Sequence, residues 1–248
     1  MLGSGEGLTL GESQGLTLSV RGEASHRVSP DAVVFAGQVA VARASKPDAV
    51  RAVARALDAL TSGVAALGGV PLTAESGRSS LTWSAYAATT YAEREHNPVT
   101  GRHELTGQTL ASVELQVTAR DFGVLEALQA VFSGQEVFNV NNVNWYVDDD
   151  NPAWPEVRTA AINAAVSKAR DYAAALGTSL TSVEHVADVG LLAGSGDAPR
   201  VLSRFGRAAS ASGAGGGAGT PSLDPVPQEL TAVVEARFRA ATAPLPAT

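Results

Sequence analysis

From Leu16 to Val20 apolar and polar residues alternate, with Leu16, Leu18 and Val20 set against Thr17, Ser19 and Arg21. A period of two is that of a strand with one buried face, so a strand is predicted here. Gly22 to Pro30 reads as a polar connection. Val33, Phe35, Val39 and Val41 predict a second strand, and Gly37 in its middle points to a bulge or a close backbone approach. The period then changes. Val50, Val53, Leu57, Leu60, Val64 and Leu67 recur at steps of three and four, with Arg51, Arg55 and Asp58 on the opposite side. That is an amphipathic helix. Ser45 and Asp48 form its capping-box-like start, Pro47 lies in its first turn, and Gly68-Gly69 closes it.

The order strand, strand, helix recurs downstream. Ser79 to Arg94 reads as a strand with Leu81, Trp83 and Ala85 on one face. Asn97-Pro98-Val99-Thr100-Gly101 is a turn, and Leu105 to Val117 alternates as a long antiparallel partner. Asp121 caps a second helix bearing Val124, Leu125, Leu128, Val131 and Phe132. Val143, Trp145 and Val147 form a further strand, broken by Asp148 to Pro152. An alanine-rich third helix is predicted from about Pro155 to Leu176, with Ile162, Val166, Ala169, Ala173 and Leu176 as its stripe and Gly177 as its stop. Val183 to Leu191 and Leu230 to Phe238 complete the strands. The expected fold is α+β, an antiparallel sheet of about seven strands with three helices packed on it, built from strand-strand-helix units.

Residues 1–15 read as a flexible leader, 16–241 as one domain and 242–248 as a tail. The Gly-, Ala- and Ser-rich loop at 193–228 buries too little to offset its ordering entropy and is expected to be mobile.

Composition narrows the function. A formal net charge of -7 lacks the basic footprint that nucleic-acid binding needs, so no nucleic-acid partner is expected. The chain has no cysteine, which removes thiolate catalysis, disulfides and cysteine-held metals. No apolar run is long enough for a transmembrane segment, and residues 1–14 lack the pattern of a signal peptide. As written, the chain is expected to remain in the cytoplasm.

Candidate chemistry is sparse. Asp148-Asp149-Asp150 with Glu156 is the densest acidic cluster, and a hard cation uses such oxygens. Acids just before a helix are also what capping and the helix dipole favour, and that is the preferred account. His96 and His103 flank the Asn97–Gly101 turn beside Glu93, Glu95 and Glu104; a hairpin pairing the two imidazoles could offer them to a metal. A solvated hairpin tip is the commoner outcome for such a loop. His26 and His185 are isolated. Arg200, Arg204, Phe205 and Arg207 make a short basic, partly apolar stretch that could contact an acidic partner. The glycines at Gly3, Gly5 and Gly7 and at Gly213 to Gly219 lack the strand-to-helix setting of a phosphate loop. No catalytic residues, cofactor or tightly bound metal are expected.

The assembled pattern resembles the SIMPL-domain family, long carried as a domain of unknown function. The resemblance runs from about Leu16 to Leu191. It includes Val20-Arg21-Gly22-Glu23, Ser29-Pro30-Asp31-Ala32, the helix ending Leu67-Gly68-Gly69-Val70 with Thr73 after it, and Gly107 to Val117 leading into Asp121-Phe122. Its best segment is Glu156-Val157-Arg158-Thr159-Ala160-Ala161, continuing through Lys168-Ala169 and Ala173 to Leu176-Gly177. The chain departs from the family where Gln108-Thr109 follow Gly107 in place of an aromatic, and in its extended hairpin and 193–228 loop.

The resemblance implies a bacterial protein with a periplasmic or secreted setting, since many members belong to the cell envelope, and it supplies no catalytic residues. The resulting expectation is a non-catalytic protein-interaction or self-assembly module with an unidentified protein partner. The alternative is a small-molecule or metal-binding protein, or an enzyme, using the His96/His103 hairpin or the Asp148–Asp150 turn. Self-association is expected because Val34, Ala36, Ala40 and Ala42 make the second strand apolar on its other face as well, which a symmetric partner would cover; the 193–228 loop folding over that face within one chain is the competing cover.

Overall fold

The computed structural model describes residues 15–98, 101–191 and 223–242. Its elements in chain order are β1 (Leu16–Val28), β2 (Ala32–Arg43), α1 (Lys46–Ala66), β3 (Val70–Pro71), β4 (Leu81–Ala85), β5 (Thr89–Asn97), β6 (Arg102–Ala119), α2 (Leu125–Ser133), β7 (Phe138–Tyr146), α3 (Ala153–Ala175), β8 (Leu180–Asp188) and β9 (Gln228–Ala240). A short 3-10 turn over Phe122–Val124 leads into α2, and Asp121 caps it by accepting from the Gly123 amide at 2.9 Å. The class is α+β. The strands, however, form two sheets rather than one. Six strands run in the order β3-β4-β6-β2-β7 with β5 also beside β6, and three run β1-β9-β8. β1 and β2 follow each other in the chain yet belong to different sheets, so the first strand-strand-helix run is not a structural hairpin unit. Two compact units result, one built on residues 28–151 and the other on β1, α3, β8 and β9.

In the six-stranded unit, Val33, Phe35, Val39 and Val41 of β2 lie level with Ala119, Val117, Val113 and Ala111 of β6, all of them buried. α1 covers this face with Ala49, Ala52, Val53, Leu60 and Val64, while Leu57 and Leu67 are partly buried and Val50 is exposed. Ser45 accepts from the Asp48 amide at 3.3 Å, and Gly68 takes a positive φ of 85° after the last turn. Both ends are therefore stopped by the residues predicted to stop them. α2 adds Leu125, Leu128 and Phe132. The Phe132 ring meets Phe35 edge-on at 5.4 Å and lies 5.1 Å from Phe138. Gly37 answers both expectations placed on it. The β2–β7 register shifts at Ala36/Gly37, and a Cβ on Gly37 would stand 2.5 Å from the Phe138 ring.

The predicted Ser79–Arg94 strand is two strands laid end to end along β6. The break falls at Tyr86–Ala88, where the Tyr86 amide still donates to the Glu114 carbonyl at 3.0 Å. On the far face of this sheet Val34, Ala36, Ala40 and Ala42 are half-buried. Their β6 neighbours are Thr118, Gln116, Ser112 and Leu110, so this face is small and mostly polar, not apolar.

In the three-stranded unit, β9 lies between β1 and β8 and buries Leu230, Ala232, Val234, Ala236, Phe238 and Ala240. β1 continues to Val28 through residues expected to be a connection. The buried stripe of α3 is Val157, Ala161, Ala165, Ala169 and Ala173, at steps of four. Ile162, assigned to the stripe from sequence, is exposed, and Val166 is half-buried. The cause is the close approach of helix to strand. A Cβ on Gly22 would stand 2.0 Å from the Ala161 carbonyl oxygen and 2.6 Å from the Ala165 nitrogen, and only alanine-sized side chains fit such a seam. Lys168 donates to the Arg21 carbonyl at 3.0 Å on the same strand.

Candidate functional site

β6 is longer than the sheet that holds it. Thr109–Ala119 pairs with β2, whereas 102–105 pairs with β5 alone. The change comes at Gly107, whose φ of 79° is left-handed. There the ladder steps from Ala92↔Thr109 to Arg94↔Leu105, two residues on β5 against four on β6. Extra residues on one strand bend and twist a pair. Beyond the bend the two strands run on as a ribbon paired Arg94↔Leu105, Glu95↔Glu104, His96↔His103 and Asn97↔Arg102. Every residue from Gly101 to Gln108 is exposed. Leu105, on the ribbon, is 61% exposed, and Tyr91, paired with Leu110 just before the bend, is 52% exposed.

The ribbon brings His96 and His103 together. Their ring centroids are 5.3 Å apart at an interplanar angle of 56°. Paired residues of a ladder share a face and successive pairs alternate, so Glu95 and Glu104 oppose each other on the other side. Thr106 donates to Glu93 at 2.7 Å. An open groove at the outer end is lined by Glu95, His96, Pro98, Glu104, Leu105 and Thr106. Among the described residues no group of three or more His, Asp or Glu is placed to hold a metal ion.

The Asp148–Asp150 turn does something else. Arg120, at the end of β6, donates to both Asp148 oxygens, at 2.5 and 3.2 Å. Asp31, just before β2, accepts from the Asp148 amide at 2.8 Å and from the Asn151 side chain. Arg78 pairs with Asp150. The hydrogen bond that Arg120 donates to Asp148 raises the pKa of the guanidinium above its ordinary value. Glu156 lies in the first turn of α3, as the helix dipole favours, but the N-cap is Pro152, which supplies no side-chain bond, and Asp148 and Asp150 are taken up by arginines within the six-stranded unit instead of capping the helix. This is a clasp joining the ends of β6 and β7 to the start of β2.

Asp31, Arg78 and Arg120 were not singled out as partners of the turn from sequence. The only signal was the Ser29-Pro30-Asp31-Ala32 segment. Arg120→Ala would leave the Asp148 carboxylate, 24% exposed, without its strongest partner. A loss of about 1–3 kcal/mol in a denaturant titration is expected, against about 0.5 kcal/mol or less for Arg55→Ala on the exposed side of α1.

His26 and His185 are exposed and stand on β1 and β8. Arg200, Arg204, Phe205 and Arg207 lie outside the described residues, as do most of the 193–228 loop and the Gly3–Gly7 and Gly213–Gly219 runs. No helix of the described residues is long and apolar enough to cross a membrane.

The sequence model of the SIMPL family, described as a protein of unknown function (DUF541), matches residues 18–238, which is most of the chain. The protein belongs to the SIMPL family. Its match begins in β1 and ends in β9, so it takes in both units. A comparison with curated proteins finds no match. Two of the segments that carried the resemblance now have a physical meaning in this SIMPL protein. Gly22 is where α3 touches the sheet, and the alanines after Glu156 are the other half of that contact. Gly107 opens the matching strand because the ribbon turns out of the sheet there.

Proposed function

We propose that the protein is a non-catalytic self-assembly module whose β5–β6 ribbon joins it to a second copy of the chain. One observation carries this reading: beyond Gly107 the ribbon is exposed on both faces, and among the described residues β5 pairs only with β6. A two-stranded hairpin without a packed face is at best marginally stable in water, and an open strand edge offers unpaired backbone groups to another chain. Leu105 on the ribbon and Tyr91 just before the bend supply large side chains to bury at such a contact.

Among the described residues the candidate acids and histidines stand in separate places. Asp148 and Asp150 are held by arginines, and His96 and His103 stand on the exposed ribbon. A role at the bacterial cell envelope follows from the family resemblance and belongs to the same proposal.

The cysteine-free sequence makes the contact measurable. A single spin label on Leu105→Cys is expected to show short label-to-label distances between copies, while the same label on Arg55→Cys does not. Equal, long or undetectable dipolar coupling at both positions would remove the ribbon as the contact.

A further inference from the structure

Two of the four histidines in the chain occupy one rung of one ladder. We propose that His96 and His103 form a two-imidazole chelate for a borderline divalent transition metal, of which zinc(II) is the best fit. The spacing is the first argument. A zinc–nitrogen bond of about 2.0–2.1 Å puts an imidazole centroid about 3.2 Å from the metal, so two ligands at a tetrahedral angle have centroids about 5.2 Å apart. The two rings here are 5.3 Å apart. Directly paired positions on a strand ladder hold that separation without help from the loop, so little ordering remains to be done when the ion binds.

Electrostatics is the second argument. Glu95 and Glu104 are directly opposed on the next rung, and like charges so placed repel. A dication held on the neighbouring rung places positive charge close to these two carboxylates. Arg94 is one pair down on the histidine face and opposes cation binding, but it is exposed and its long side chain is free to turn into water.

Imidazole ligands favour zinc, nickel and copper over magnesium or calcium, which sets the class. Two protein ligands leave two tetrahedral positions for water, so the ion is exchangeable and not a folding element. The inference needs only one chain and holds whether or not the ribbon joins copies.

Calorimetric titration of the tag-free full chain with zinc chloride tests it. The expected result is one zinc per chain. His96→Ala and His103→Ala should each weaken binding on the order of tenfold or more, because each removes the second arm of the chelate. The His26→Ala/His185→Ala double variant should bind as the wild type does. All four substituted positions are exposed, so folding is expected to survive, and far-UV circular dichroism checks that it does. Unchanged affinity in either ribbon variant, or an equal loss in the His26/His185 variant, overturns the chelate. So does half a zinc per chain with a doubled particle mass, because the ligands would then come from two copies.

Discussion

Gly22→Val is expected to destabilise the three-stranded unit more than any other single change considered for it, by about 3 kcal/mol or more. The reason lies in what the new side chain meets. At 2.0 and 2.6 Å the nearest atoms are the Ala161 carbonyl oxygen and the Ala165 nitrogen, both backbone. A flexible neighbour could rotate away, but a helix backbone can only move as a body. If α3 retreats, Ala161, Ala165, Ala169 and Ala173 lose contact with the sheet together, and alanine side chains cannot reach across the gap. Glu23→Val is the control, since position 23 is exposed on the same strand and valine suits a strand. It should shift the transition by about 0.5 kcal/mol or less. Denaturant titrations that return the same change for both variants would show that the seam is not as close as described.

The second large effect belongs to the six-stranded unit. Leu60, on the sheet-facing side of α1, is fully buried against the core of β2 and β6. Leu60→Ala removes three carbons from a site that the stiff sheet cannot close, and a loss of about 2–5 kcal/mol is expected. Arg55 lies on the exposed side of the same helix, so Arg55→Ala should be nearly silent. Because both residues sit in one helix, the pair separates core packing from helix propensity. Equal, small changes in melting temperature would contradict the assigned helix face.

How legible these features were in the sequence depends on whether their causes are local. α1 could be read from its apolar steps and from caps three residues apart, because helix ends are decided within a turn. Gly37 announced both a bulge and a close contact for a similar reason. The stripe read for α3 is right at Ala169 and Ala173 and wrong at its start, where the aliphatic side chains of Ile162 and Val166 suggest a face that the helix does not bury. The true stripe was chosen by a contact with Gly22, a residue more than a hundred positions away, which rewards smallness instead of hydrophobicity. The division into two sheets was hidden likewise. Alternation reports that a strand has a buried face but not which strand lies beside it, and β9 finds its place between β1 and β8 only by long-range pairing.

The candidate site divides in the same way. His96 and His103 flank one turn, so a hairpin had to bring them near each other. Arg120 and Asp31 stand 28 and 117 residues from Asp148, and no local pattern links them to it. Gly107 looked like part of an even strand, and only its left-handed φ shows that the ribbon leaves the sheet there.

The most direct test of the self-assembly account is the molar mass of the full chain in solution, by light scattering coupled to size exclusion. It should be run beside a variant carrying Tyr91→Glu and Leu105→Glu. The account predicts a defined oligomer for the wild type and a shift toward a single chain of 25.2 kDa for the variant, with both folded. A wild type that elutes as a strict monomer at tens of micromolar, or an oligomer unchanged by charging these two positions, would contradict it.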